Sequence, residues 1–331
     1  MLIGAEFPPP PHRTTDEGWQ AFTELLDKQA KVGESRGVAK FRLGSHPDDV
    51  AQARNMGARV LWRPRQETPS PSELSSALVN SAYMMQDGDW LEPENEPNHS
   101  NSKWVLEGMT PGPYNTSLNT LIDTAKSTSV QIAVSLILVS PGLMPESDVT
   151  SRSNTERWLS MSRAARDRCD LQGGHVYHTN GLNGIMYLPS EPNEVITEFG
   201  YSGNDTSQRA TLNNRVLREV MSRGAKAVIF FILPYPSGAD EWGKYFLTVS
   251  AARSYREEHE RWHAMNPPQE DNVSDQERAE LREKMLEVQR ILGSVVSGNL
   301  EAQLRAGGDR VKAAFDQQGD AINYLDSLGK V

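Results

Sequence analysis

Two glutamates carry the residue types and settings that could do chemistry. Glu96 sits between an amide side chain and a proline in the stretch Trp90 to Asn98, WLEPENEPN, where an apolar run gives way to a loop. A carboxylate buried there without a purpose is costly. Glu198 rises from a second, β-branched apolar run, Glu194 to Tyr201 (EVITEFGY), 102 residues after Glu96. A pair of carboxyl groups on two strand ends is what cleavage of a glycosidic bond requires: one protonates the leaving oxygen, and the other attacks the sugar or activates water. The nucleophile must stay ionised while the acid holds its proton near neutrality, so the two roles need different environments.

The elements that must position this pair follow from the hydrophobic pattern. Apolar runs fall at Leu2–Phe7, Val38–Gly44, Ala58–Arg63, Asp89–Glu94, Val130–Val139, Gly174–His178, Glu194–Phe199 and Ala225–Leu233. Helical patterns separate them at Asp16–Lys31, Pro47–Met56, Pro71–Gln86, Ser117–Ser127, Asn154–Cys169, Ser207–Arg223 and Glu241–His263, the first behind capping threonines Thr14 and Thr15. The crossover from Asn180 to Asn193 lacks a clear helix. Strands that alternate with helices and read as nearly continuous apolar runs argue for a parallel sheet covered on both faces. The simplest closure is an α/β fold of the (β/α)8 TIM-barrel type, in which catalytic groups sit at the C-terminal ends of strands. Glu96 and Glu198 fall there, on the fourth and seventh strands.

Length and composition agree with an ordinary enzyme domain. The 331 residues carry a net charge of −10 with acids and bases interspersed, which argues against a nucleic-acid groove. The single cysteine, Cys169, excludes an internal disulfide and a cysteine-based metal cluster. The N-terminus shows no basic region followed by an apolar core, and no run approaches the length of a membrane span, so neither a secretory signal nor a membrane segment is expected. A protein of this kind would be cytoplasmic as made, exported by another route, or carried on a larger particle such as a phage tail.

Asn95-Glu96-Pro97 closing the fourth strand, with Glu198 closing the seventh, resembles the retaining glycoside hydrolases of clan A, which include cellulases, mannanases, xylanases and β-glycosidases. The match covers roughly residues 1 to 265. The resemblance implies that Glu96 is the acid/base, that Glu198 is the nucleophile, and that Asn95 hydrogen-bonds the sugar 2-hydroxyl. It further implies that Arg42, near the end of the second strand, steadies the nucleophile. His175-Val176-Tyr177 on the sixth strand looks like the His-x-Tyr pair whose tyrosine contacts the nucleophile. Residues 175 and 177 share one face of a strand, so both can point into a barrel mouth; His178 is a minor candidate. Pro93 and Glu94 depart from the family pattern, as does the end of strand eight, FFILPYPSG, where a tryptophan is usual.

The substrate implied is an oligo- or polysaccharide, with no cofactor. Sugar ring faces stack on aromatic side chains, and Trp62, Trp104, Tyr201, Tyr235 and Trp242 are candidates, with Trp62, Tyr235 and Trp242 favoured. The stretch Asn98–Tyr114 would form one wall of the cleft. Glu92 and Glu94 alternate with Glu96 and are expected to lean towards the barrel interior. A metal site made of Glu92, Glu94 and His99 lacks a tight ligand spacing, so no metal is expected.

Beyond the barrel, residues 266–275 form a polar linker and residues 276–331 a helical tail. Within the tail, Leu281, Met285, Val288, Leu292 and Val295 repeat at alternating spacings of four and three. This short seam reads as a module for self-association or attachment to a larger assembly, or as a helical hairpin folded back on the barrel. Two further readings stand beside the hydrolase: a carbohydrate-binding or structural barrel with little turnover, and a barrel lyase or aldolase, for which the sequence shows no obvious site lysine.

Overall fold

The computed structural model describes residues 1–31, 33–99, 102–143, 156–178, 193–201, 206–235 and 246–266. By contacts the chain divides into two units, Met1–Met265 and Asn266–Val331. The expected linker and helical tail, Trp242, and the Asn180–Asn193 crossover apart from Asn193 itself lie outside the described residues, save Asn266.

Eight strands form one parallel sheet: β1 Leu2–Glu6, β2 Gly37–Arg42, β3 Ala58–Arg63, β4 Trp90–Leu91, β5 Ile137–Leu138, β6 Gln172–His178, β7 Glu194–Tyr201 and β8 Ala227–Phe230. Their order, β5-β4-β3-β2-β1-β8-β7-β6, is the cyclic order of a (β/α)8 barrel. A parallel bridge between Val139 and Leu171 joins the two ends of that order, and the Ser140 N–H donates to the Leu171 carbonyl at 2.9 Å. The main helices are α1 Asp16–Leu25, α2 Pro47–Asn55, α3 Pro71–Ser81, α4 Pro111–Gln131, α5 Thr206–Ser222 and α6 Val249–Met265. None of the described helices is long and apolar enough to cross a membrane.

Strand alternation divides the buried side chains into two sets. Leu2, Val38, Leu61, Trp90, Ile137, Val139, Leu171, Val195, Ala227 and Ile229 fill the lower barrel interior. Their neighbours, including Phe41, Trp62, Leu91, Val176, Ile196 and Phe230, face outward and pack with Phe22, Leu25, Leu74, Leu118 and Tyr255 of the helices. Each such aromatic or aliphatic side chain gains about 1.5–3 kcal/mol on burial, so this shell supplies most of the drive to close the barrel. Local signals fix the helix starts. Thr15 caps α1 by accepting from the Gly18 N–H, and Ser70 with Glu73 makes a reciprocal capping box on α3.

The second half of the pattern departs from expectation. The run from Val130 is not a strand start. α4 continues to Gln131, with Leu118, Leu121, Ile122, Ala125 and Thr128 buried at helical spacing, and β5 is confined to Ile137–Leu138. A short apolar run at the junction of two elements fits either period, and here the helix took it. β4 is likewise brief. Its ladder ends with the Glu92 N–H donating to the Trp62 carbonyl at 2.9 Å, and Pro93 has no N–H with which to continue. The expected wall from Asn98 to Tyr114 holds a helical turn, Lys103–Leu106, and the start of α4.

Candidate active site

Above the apolar interior, the next layer of inward side chains is charged. Glu6 of β1, Lys40 of β2, Arg63 of β3, Glu92 just past β4, His175 of β6 and Glu198 of β7 are all buried. Lys40 is their hub. Its Nζ lies 2.9 Å from Glu198 Oε1, 3.2 Å from Glu92 Oε2 and 3.4 Å from Glu6 Oε2. Burial works against the ammonium, yet Glu198, Glu92 and Glu6 together hold its pKa well above the usual lysine value. Arg63 adds a second cation, with Nη1 3.6 Å from Glu198 Oε1 and Nη2 3.3 Å from Glu6 Oε1.

Glu198 reaches this layer because β7 carries a bulge. Register with β6 shifts between Gly174/Ile196 and His175/Glu198, and register with β8 shifts over the same residues. Strict alternation from the inward Val195 would turn Thr197 inward and Glu198 out. The extra residue lets both turn inward, while Ile196 and Phe199 keep their places in the outer core. Thr197 Oγ1 then donates to Glu92 Oε1 at 2.9 Å, and the Tyr177 hydroxyl donates to Glu198 Oε2 at 2.5 Å. Burial pushes the Glu198 carboxyl up, but Lys40, His175, Arg63 and the Tyr177 hydrogen bond outweigh it and hold the pKa well below the usual carboxylate range. Glu6 goes the other way, raised chiefly by burial.

Glu96 approaches from β4 with positive φ, +42°, unusual for a residue other than glycine. Two backbone bonds hold the turn: the Glu96 N–H donates to the Gly142 carbonyl at 3.1 Å, and the His99 N–H donates to the Glu96 carbonyl at 2.9 Å. Its side chain, 16 % exposed, meets fully buried His175, with Nδ1 2.8 Å from Glu96 Oε1. The same Nδ1 is 3.8 Å from Glu198 Oε2. Burial lowers the pKa of His175, but Glu198, Glu96 and Glu92 more than offset it, so the net shift is upward and favours the imidazolium. One carboxylate oxygen of Glu96, one of Glu198 and a ring nitrogen of His175 lie within 4.8 Å of one another. These three could offer ligands to a metal ion, yet Lys40 and Arg63 already supply positive charge on Glu198 and would oppose a further cation.

Gly142, beside the end of β5, ties the arrangement together. Its N–H donates to Glu92 Oε1 at 2.8 Å. A Cβ at this position would stand 2.1 Å from His175 Cδ2 and 2.9 Å from Thr197 Oγ1, so glycine is required by close approach.

No protein-family model matches the chain, and no curated protein matches it. Among solved structures, the chain is similar to the glycoside hydrolase family 30 subfamily 8 xylanase Xyn30A from Clostridium acetobutylicum, with 13% identity, TM-score 0.44, and coverage of 77% of this chain and 71% of that one. It is also similar to a GH5-4 broad-specificity endoglucanase from an uncultured bacterium, with 10% identity, TM-score 0.48, and coverage of 78% and 94%. A family 39 glycoside hydrolase from Bacteroides cellulosilyticus WH2 matches with 13% identity, TM-score 0.44, and coverage of 77% and 63%.

Glu96, Glu198, His175 and Tyr177 converge on one point, whereas other expected site residues stand elsewhere. Arg42 contacts Glu6 instead of Glu198, with Nε 3.6 Å from Glu6 Oε1; the cations on Glu198 are Lys40 and Arg63. Asn95 is buried, and its Nδ2 donates to Glu67 Oε2 at 2.6 Å. Trp62 is no sugar platform. It is wholly buried on the outer face of β3, where its Nε1 donates to Asp89 Oδ2 at 2.8 Å. The Tyr235 ring, 5% exposed, stacks on His12 and packs with Phe246. Trp104 is half-buried, its Nε1 donating to Glu94.

Glu94 does not join the interior layer. It takes hydrogen bonds from Trp104 and from the Tyr114 hydroxyl of α4, the latter at 2.6 Å, and burial pushes its pKa to about 8. Sequence reading missed Lys40 and Arg63. Parity could have found both, since Lys40 lies two residues from Arg42 on an apolar strand and Arg63 two from inward Leu61.

Proposed function

We propose that the barrel is a glycoside hydrolase that cleaves a β-linked glycan with retention of configuration, Glu96 acting as acid/base and Glu198 as nucleophile. The observation that carries this reading is the pairing itself: two carboxylates approach within 4.8 Å at the barrel mouth, Glu198 held by Lys40 and Arg63 and Glu96 by His175. Separations of about 5–5.5 Å suit double displacement, and wider gaps of about 6.5–9.5 Å leave room for the water of an inverting enzyme.

Glu198, kept ionised by Lys40, Arg63 and Tyr177, attacks the anomeric carbon as Glu96 passes its proton to the departing oxygen. A covalent glycosyl-enzyme forms. Glu96, now a carboxylate, takes a proton from water, which displaces Glu198 from the sugar and restores the starting state. His175, hydrogen-bonded to Glu96 and close to Glu198, lies where it can balance the charge that passes between them. Tyr177 releases its bond to Glu198 Oε2 as that oxygen becomes an ester or turns to the sugar.

An interior lysine would suit a Schiff-base lyase, but Lys40 is held as an ammonium by three carboxylates and has no free electron pair for a carbonyl. The test is hydrolysis of β-glucan, mannan, xylan, galactan, chitin and peptidoglycan by the parent, Glu96→Ala and Glu198→Ala. Loss of activity in both variants, with azide restoring turnover of Glu198→Ala as an α-glycosyl azide, is the expected result. A parent that binds one of these glycans and cleaves none would favour a binding barrel.

A further inference from the structure

Glu67, in the loop after β3, has two unlike oxygens. Oε2 is turned inward, accepting from Asn95 Nδ2 at 2.6 Å and from Arg63 Nη1 at 3.2 Å. The Asn95 N–H also donates to the Glu67 carbonyl at 2.9 Å, so backbone and side chain are both held. The carboxylate's hydrogen bonds from Asn95 and Arg63 both fall on Oε2, the Arg42 guanidinium adds favourable charge nearby, and the side chain is 47% exposed. Glu67 also lies beside the reacting pair. The Arg63 nitrogen that binds its inner oxygen is 3.6 Å from Glu198 Oε1, and Asn95 directly precedes Glu96 in sequence.

A carboxylate fixed by one oxygen and partly exposed is a pre-organised acceptor. Its chemistry is selective. It accepts from hydroxyl groups, and vicinal hydroxyls of a sugar can share its other oxygen. An anionic substituent placed there meets like charge and offers no donor.

We propose that Glu67 is a substrate-binding residue beside the nucleophile, which accepts hydrogen bonds from the hydroxyls of a neutral sugar and rejects a uronic acid in that position. This rests on the glycosidase reading and narrows its substrate class. The neighbouring guanidinium of Arg42 is the feature that could recruit a uronate instead, and the experiment sets the two against each other.

The test is calorimetric binding of cellotetraose, mannotetraose, xylotetraose and tetragalacturonate to the full chain, comparing the parent with Glu67→Gln and Glu67→Ala. We expect a neutral tetrasaccharide to bind the parent and tetragalacturonate not to bind. In Glu67→Ala the neutral ligand should weaken about 10- to 100-fold, the worth of one hydrogen bond to a charged group. Glu67→Gln, which keeps an inward polar group for Asn95, should fold as the parent does and lose a smaller factor.

The proposal is overturned if both variants bind as the parent does, if tetragalacturonate binds the parent more tightly than every neutral ligand, or if no neutral ligand binds. Azide rescue of Glu198→Ala reports separately on the hydrolase. Glu67-dependent binding without turnover would leave this inference standing and remove the catalytic one.

Discussion

At the scale of the residue, Lys40 is the largest single influence that keeps the buried Glu198 ionised. Lys40 touches Glu198, Glu92 and Glu6 at once, so its removal leaves three buried acids short of a counter-charge. Breaking a buried ion pair from one side costs about 3–5 kcal/mol. Lys40→Met should therefore lower the melting temperature and cut turnover at least about 100-fold. The pH profile tests more than a structural role. Lys40 depresses the pKa of Glu198, so its loss raises that pKa, and the acid limb of kcat/KM should move to higher pH. Lys40→Arg, which keeps the charge, should leave that limb near its original position. An unmoved limb in Lys40→Met would show that the lysine does not control the ionisation of Glu198.

At the scale of the element, a bulge and a glycine put the site together. Gly142→Ala drives a methyl group into His175 and Thr197. Its expected effect is a displaced imidazole, a fall in kcat larger than the change in KM, and a modest loss of stability, read from steady-state kinetics and thermal melts. These elements also mark what could be read from sequence. Apolar runs alternating with helical patterns revealed the barrel, and Glu96 and Glu198, picked out as isolated acids far apart in sequence, come together beside His175 and Tyr177. Trp62 was misplaced because nearness to a strand end outweighed parity: Leu61 and Arg63 face inward, so Trp62 must face the helices. The β7 bulge has no such signal, for a period of two cannot announce the place where it fails. Contacts such as Gly142 with His175 join distant segments, and local patterning carries no record of them.

At the scale of the whole molecule, the stability should carry the signature of Glu94, buried behind the cleft wall against Trp104 and Tyr114. Its pKa is raised to about 8, so the protonated form belongs to the folded state. The stabilisation is complete below the unfolded carboxylate pKa and declines as pH rises through about 8, because the unfolded chain releases this proton first. Glu94→Gln cannot ionise. Relative to the parent, its melting temperature should climb from pH 5 to pH 8 and then level off; a constant difference across that window would show that Glu94 is not protonated in the fold.

At Glu96 the proposed chemistry and the endurance of the fold pull in different directions. Its positive φ belongs more naturally to glycine or asparagine, and such backbone strain costs of order 1 kcal/mol. Glu96→Asn and Glu96→Gln both lose the ion pair with His175 and should both abolish turnover, but only asparagine relieves the strain, so Glu96→Asn should melt about 2 °C higher than Glu96→Gln. Were that found, selection for heat tolerance without selection for activity would settle on asparagine once the acid was gone, leaving a sturdier turn with nothing to do.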